Sequence, residues 1–376
     1  MSCSIIKLAK KLIAIPSISP LDLGCQNIIS DRLFKIGFNI VSIKDKDTNN
    51  LWAYKGDGVT LSFAGHTDVV DPGNIKNWNI AQPFQPVIKN GYLFGRGSVD
   101  MKGSIAAMVV AIENFIYKKP NYTGRLSLMI TSDEESDADF GTISIVKYLK
   151  LINEHINYCI VGEPTSNNII GDVIKVGRRG SLYAKLLIYG VSGHIAYPET
   201  VENPIHNSLF FLHQIVDMHW SLGNKYFLPT SMQIFNIFSN TKSSNTVPGT
   251  ITIECNFRFG TDISVLEIKK KFEKLLLHFN IKYSISWYLS AEPFLTHSTY
   301  LIQLLKKSIH KFNLTDIIVS TSGGTSDGRF IKEIADELIE LGPVNRTIHK
   351  ANECVKVKDL QLLSLIYEDL MHIILK

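Results

Sequence analysis

Two histidines and a set of carboxylates are spaced along this 376-residue chain in a way that suits metal ions. His66, Asp100, Glu135, Glu163 and His349 each fall in a loop at or soon after an expected strand, or at the start of an expected helix. In an open α/β sheet, ligands bind outside the carboxyl ends of the strands, so all five are expected on one rim. Two imidazoles and three carboxylates, with no cysteine, make an oxygen and nitrogen donor set suited to zinc, cobalt or manganese. Each residue also has a plainer reading on its own. Asp100 stands where a helix N-cap belongs. Glu134 and Glu135 resemble solvated turn charges, Glu163 a loop charge before Pro164, and His349 a histidine satisfied by its neighbours. The joint pattern is what points to chemistry. His66 and Asp68 are two apart in an extended segment and therefore face the same way. Asp68 is expected to accept the second ring N–H of His66 and to fix its tautomer.

The elements that must position these groups alternate between strand and helix. Helical spacing over residues 4–14, through Ile5, Leu8 and Leu12, stops at Pro16 and Pro20. A second helix is predicted over 25–36, closed by Gly37. Strand-like runs at 61–64, 125–131, 158–161 and 338–341 lead into His66, Glu134-Glu135, Glu163 and the stretch before His349. Helices are predicted at 101–117 and 358–375. Such alternation indicates an α/β domain with a mixed, mainly parallel central sheet flanked by helices.

Residues 180–293 have a different pattern. Leu182, Ala184, Leu186 and Ile188 alternate, as do Ile251, Ile253, Cys255, Phe257 and Phe259. With strands also marked by Met232, Ile234 and Phe238 and by Tyr283, Ile285 and Trp287, and helices over 203–220 and 262–279, the order is βαββαβ. That is the order of a ferredoxin-like unit. The chain is therefore expected to carry this unit as an inserted domain, 180–293, within a domain built from 1–179 and 294–376. Residues 239–245 read as a polar loop.

Composition narrows the function classes. Lys and Arg number 39 and Asp and Glu 35, giving a net charge of +4. No long basic block marks a nucleic-acid surface. The longest apolar run, 105–112, is far short of the roughly 20 residues that cross a bilayer. Mean hydropathy of +0.08 reflects plentiful isoleucine. Lys7, Lys10 and Lys11 break the apolar N-terminal stretch, so no leader segment is expected and the location is expected to be cytoplasmic. Five scattered cysteines without a CxxC argue against a disulfide framework and against a thiolate zinc site.

The ordered motifs Gly65-His66-Thr67-Asp68-Val69-Val70, Gly95-Arg96-Gly97-Ser98-Val99-Asp100-Met101-Lys102-Gly103, Thr131-Ser132-Asp133-Glu134-Glu135 and Gly162-Glu163-Pro164-Thr165 resemble those of the zinc aminoacylase and carboxypeptidase superfamily of co-catalytic metallohydrolases. The stretches 176–181, 193–198, 203–206, 257–259, 322–330 and 342–345 are similar to its branch acting on N-succinyl-LL-2,6-diaminopimelate. The likeness runs essentially end to end.

This resemblance implies a homodimeric amidohydrolase with two divalent metal ions per subunit, Zn2+ with Co2+ able to substitute. It acts on a small-molecule substrate, with no nucleic-acid or membrane partner. It implies that Asp100 bridges the metals, that His66 and Glu163 complete one site and that Glu135 and His349 complete the other. Asp68 would orient His66, and Glu134 would be the general base. His194, which by itself reads as a strand-end histidine, would reach a neighbouring subunit's site and stabilise an oxyanion, with Asn245 lent likewise. Arg178 and Arg258 suit a succinyl carboxylate, since guanidinium pairs with carboxylate bidentately. Tyr197, Gly324, Thr325 and Asn345 complete the expected substrate contacts. Three positions depart from the family pattern: Ser98-Val99, Ser136-Asp137 and Arg346. Asp137 is expected to raise the pKa of Glu134. The rival readings are another deacylase, such as one for N-acetylornithine, or a dipeptidase. A non-catalytic binding protein would be expected to have lost Glu134 or a ligand, and a phosphate loop at Gly95-Arg96-Gly97 lacks further glycine at the helix start.

Overall fold

The computed structural model describes residues 2–297 and 300–376. Its contacts divide the chain into two units. The first comprises Met1–Gly177, Leu295–Ser320 and Ser326–Lys376; the second comprises Arg178–Phe294 and Thr321–Thr325. The sequence placed the borders near 180 and 293 but gave no sign that Thr321–Thr325 packs with the inserted segment. Short glycine- and threonine-rich stretches carry no periodicity that would assign them to a core.

The first unit is built on an eight-stranded sheet. Across it the order is Asn39–Asp45, Thr48–Asp57, Gly124–Thr131, Thr60–His66, Ile156–Val161, Ala335–Glu340, Val173–Lys175 and Ile318–Ser320. The four strands from Gly124–Thr131 to Ala335–Glu340 run parallel, while the ribbon Asn39–Asp57 joins antiparallel at one side. The central strand Thr60–His66 is buried at six of its seven positions rather than on alternate ones. A parallel strand covered on both faces has no solvent side, so an alternating pattern is not expected there.

The helix Lys102–Lys118 packs against Ser2–Ile13 and Val357–Ile374. It is apolar almost all round, through Ile105, Met108, Val109, Ile112, Phe115 and Ile116, because neighbours enclose it. Burying each such side chain contributes roughly 1.5–3 kcal/mol.

In the second unit, Gly180–Tyr189, Ser231–Phe238, Thr250–Phe259 and Tyr283–Ala291 form a four-stranded antiparallel sheet, with Pro204–Asp217 and Val265–His278 as its helices. The strand order, second-third-first-fourth, is the ferredoxin-like one. Both helix starts are written locally. Asn203 accepts from the Ile205 N–H, with Pro204 at the first turn, and Ser264 and Glu267 form a reciprocal capping box. The helix expected to reach residue 220 ends at Asp217, and Trp220 instead packs into the core against Phe257, with ring centroids 4.8 Å apart. Phe257 also meets Phe272 and Trp287. Phe257→Ala should lower the unfolding free energy by about 3–5 kcal/mol. Urea denaturation followed by tryptophan fluorescence measures this, and a loss below about 1 kcal/mol would show that the aromatic cluster does not hold this unit.

Candidate metal centre

The carboxyl ends of adjacent parallel strands deliver the ligands. His66 is the last residue of Thr60–His66. Ser132 to Glu135 follow Gly124–Thr131, Gly162-Glu163 follow Ile156–Val161, and Ala335–Glu340 leads towards Gly342 and on to His349. Asp100 lies two residues before the helix Lys102–Lys118. The turn before it needs Gly97, whose φ is +81° and where a Cβ would lie 2.7 Å from Val69 Cγ1. Gly342 is required for another reason: a Cβ there would come within 2.2 Å of the Glu163 carbonyl oxygen.

Two three-residue clusters share Asp100. His66, Asp100 and Glu163 form one, and Asp100, Glu135 and His349 form the other; within each, the ligand atoms lie within 4.8 Å of one another. His66 Nε2 is 3.1 Å from Asp100 Oδ1 and 3.7 Å from Glu163 Oε1. His349 Nε2 is 3.0 Å from Glu135 Oε1 and 3.5 Å from Asp100 Oδ2. The two oxygens of Asp100 thus face different histidines. A third grouping, His66, Glu134 and Glu135, satisfies the same distance criterion. The Asp100–Met101 peptide is cis.

Asp68 lies beside His66 Nδ1, as expected, and has a second set of partners. His66 Nδ1 is 2.9 Å from the main-chain carbonyl of Asp68 and 3.5 Å from its carboxylate. The carboxylate accepts the backbone N–H groups of Glu134 and Glu135, at 3.4 and 3.0 Å. Asp68 therefore ties the His66 strand end to the turn that carries the glutamate pair.

Electrostatics follow from crowding five carboxylates, Asp68, Asp100, Glu134, Glu135 and Glu163, around two imidazoles. Burial disfavours charge on Asp100, but its bonds to His349 and His66 prevail and hold its pKa down. His349 is raised to about 10 by its bonds to Asp100 and Glu135. Burial works against a charged His66, yet Asp100 and Asp68 raise it well above its usual range. Glu134 is pushed well up, first by burial and then by the charge of Glu163. Asp137 is exposed and is not among the causes, so the expected influence of that residue is not what raises Glu134. This excess of negative groups, arranged as two oxygen and nitrogen clusters, fits two divalent cations, which would replace the protons as counter-charge.

Asp327 was not singled out in the sequence. It lines a narrow cavity together with His66, Glu134 and Glu163. Its Oδ2 accepts from Thr142 Oγ1 at 2.7 Å, and burial lifts its pKa to about 6. Glu353 also escaped notice, because nothing in its local pattern separates it from an ordinary helix-approach charge.

The remaining expected residues fall as follows. Asn345, in the first unit, is half-buried and donates its N–H to the Ser166 carbonyl at 2.9 Å. Neighbouring Arg346 is exposed and donates to Asn168 Oδ1 at 2.6 Å. In the second unit, Arg178 is buried and donates to the carbonyls of Ser322 and Gly324, at 3.3 and 3.2 Å. Gly324 is exposed and Thr325 half-buried on that same segment. Arg258 lies on Thr250–Phe259 opposite Ser181. Burial, aided by nearby Arg179, lowers the pKa of Arg258. His194, Tyr197 and Asn245 come together on a small exposed ribbon. His194 pairs with Thr246, its ring lies 5.8 Å from that of Tyr197, and Ile195 N–H donates to the Asn245 carbonyl.

The chain is similar along its whole length to known proteins. A succinyl-diaminopimelate desuccinylase of Buchnera aphidicola subsp. Baizongia pistaciae is 55% identical over 98% of this chain and 97% of its own length. One from Buchnera aphidicola subsp. Acyrthosiphon pisum is 54% identical over 99% of each. Among solved structures, an aminopeptidase PepT from Bacillus cereus superposes with a TM-score of 0.77 at 20% identity, covering 98% of this chain and 99% of that one. A dinuclear metal binding peptidase from Bacillus subtilis gives 0.74 at 13% identity, covering 100% and 98%; these two establish the fold. The sequence profile of Peptidase family M20/M25/M40 matches residues 62–372, and with relatives this similar along its whole length the chain belongs to that family.

Proposed function

We propose that the protein is a dizinc amidohydrolase. It cleaves N-succinyl-LL-2,6-diaminopimelate to succinate and LL-2,6-diaminopimelate, a cytoplasmic step of diaminopimelate and lysine biosynthesis. The observation that carries this reading is the pair of three-donor clusters sharing Asp100, in a chain 55% identical to a relative named for this activity. His66, Asp100 and Glu163 would hold one ion and Asp100, Glu135 and His349 the other, with Zn2+ favoured by the nitrogen and oxygen donors and Co2+ accepted by the same set. When bound, two such ions polarise an amide carbonyl and acidify water.

Glu134 takes the proton from the attacking water and returns it to the leaving amine; its raised pKa suits a group that must hold that proton between steps. Asp68 keeps His66 and the Glu134–Glu135 turn in register through the bonds described above. Arg178 and Arg258 bind the succinyl carboxylate, with Gly324, Thr325, Asn345 and Tyr197 as neutral contacts. His194 stabilises the developing oxyanion, and the polar loop supplies Asn245, both lent by the partner of a homodimer formed through the inserted unit.

Exposed apolar residues of that unit support the dimer. Ile205, Leu209, Phe210 and Val216 lie along Pro204–Asp217, and Phe235, Ile237 and Phe238 lie on the sheet-edge strand Ser231–Phe238. An open apolar edge strand is a ready site for pairing with a second copy. Among the described residues no helix is long and apolar enough to cross a membrane.

The deciding experiment is hydrolysis of N-succinyl-LL-2,6-diaminopimelate by the zinc-loaded protein, with N-acetylornithine alongside. Preference for the succinyl substrate that a chelator abolishes would support the reading. Turnover of N-acetylornithine alone would keep the metal chemistry and overturn the carboxylate contacts. His194→Ala should lower kcat about 10²–10³-fold, the usual loss of an oxyanion donor. Mixing it with a Glu134→Ala subunit should restore part of the activity if His194 acts across the dimer, and no recovery would place His194 in its own subunit's site.

A further inference from the structure

Glu353 lies one residue before the short strand Cys354–Lys356, which pairs antiparallel with Tyr92–Phe94. The chain leaving Tyr92–Phe94 becomes the turn that carries Asp100, and the chain entering Cys354–Lys356 comes from the loop that carries His349. The β-pair therefore brings the bases of two ligand-bearing loops together, and the Glu353 side chain fills the space between them. It is fully buried. Each of its oxygens accepts two N–H groups. Oε1 takes Val99 N at 2.8 Å and Asp100 N at 3.2 Å, and Oε2 takes Gly97 N at 3.0 Å and Arg96 Nη1 at 2.8 Å. The Glu353 carbonyl also accepts Gly95 N at 3.0 Å.

Arg96 supplies the counter-charge. It is buried, lies over the Trp78 ring with its guanidinium carbon 5.3 Å from the centroid, and also reaches the Lys350 carbonyl at 3.4 Å. Thr347 closes the His349 loop from its other side by exchanging two hydrogen bonds with Cys354, at 3.0 and 3.1 Å.

We propose that Glu353 is a positioning residue that locks the Asp100 turn to the His349 loop, so that both oxygens of Asp100 and the His349 ring are held ready for metal. This rests on the reading of Asp100 and His349 as metal ligands. The chemistry is specific to a carboxylate. Four donors converge on two acceptor atoms, and an amide in this place offers one acceptor and turns its NH2 towards two of the donors. The N–H groups of residues 97, 99 and 100 are otherwise left without a partner in a buried turn, and the turn must move to reach water or another acceptor.

The test is zinc binding by the full chain, stripped of metal and titrated in competition with a chromophoric chelator, together with the visible spectrum of the Co2+-loaded protein. Glu353→Gln should weaken zinc binding about 10–100-fold, the usual effect of losing a group that orients ligands, and should alter the cobalt spectrum. Ser308→Ala, which removes a buried hydroxyl bond to Asp369 far along the chain, serves as the control and should move neither readout. Glu353→Gln with wild-type zinc affinity and cobalt spectrum would overturn the inference, even if activity were lost. Should that variant fail to fold, Arg96→Lys keeps the charge but gives up the planar fork. A smaller shift in the same direction is then expected, and an unchanged spectrum overturns the proposal. A wild-type chain that binds no zinc would overturn the metal reading and this inference together, whereas wild-type binding of two ions with no loss in either variant would remove this inference alone.

Discussion

Glu134→Ala is expected to cost roughly 10²–10⁴-fold in kcat, the range for a lost general acid–base group, while two metal ions per chain remain bound. The geometry separates those two outcomes. Each of the clusters that share Asp100 is complete without Glu134. Glu134 lines the narrow cavity beside His66 and Glu163, where burial and the neighbouring carboxylate favour its protonated form. Metal content after dialysis, measured by atomic absorption, should therefore match wild type. If one equivalent of metal is lost instead, the alternative grouping of His66, Glu134 and Glu135 holds an ion and Glu134 is a ligand rather than a base.

Asp100→Asn should have the opposite signature, with both ions loosened together and activity falling with them. Asp100 is the one residue common to the two clusters, and each of its oxygens serves a different histidine. Four-donor zinc sites hold on the order of 10–16 kcal/mol, so one donor accounts for roughly 3 kcal/mol, or about 10²-fold in affinity at each site. The amide keeps the shape but lacks the charge and offers a single acceptor oxygen. Isothermal titration with Zn2+ should show two weakened sites. One weakened site beside one of wild-type affinity would mean that Asp100 does not bridge.

The contrast between these two neighbouring acids was partly legible in the sequence. His66, Asp100, Glu135, Glu163 and His349 were all identifiable because each follows a strand or precedes a helix, and parallel strands deliver their carboxyl ends to one rim. Asp68 was identifiable as the partner of His66, but its second role was not. Spacing by two says that side chains share a face; it does not say that the carboxylate will be taken up by the amides of Glu134 and Glu135, 66 and 67 residues away. Asp137 illustrates the converse. Adjacency in sequence suggested influence on Glu134, but the turn leaves Asp137 in solvent while Glu163, from another strand, supplies the repulsion.

The sequence by itself determined the alternating core of the inserted unit, the start of its first helix at Asn203, and the identity of the donor atoms, because periodicity, capping and ligand chemistry are properties of a residue and its near neighbours. Only the tertiary structure decided which histidine meets which oxygen of Asp100, that Asp327 lines the same cavity as Glu134, that Thr321–Thr325 belongs with the inserted segment, and that Glu353 gathers four donors from the Arg96–Asp100 turn. These pairings join positions up to 257 residues apart. They exist because the folded sheet, rather than any local preference of the chain, brings the loop ends together.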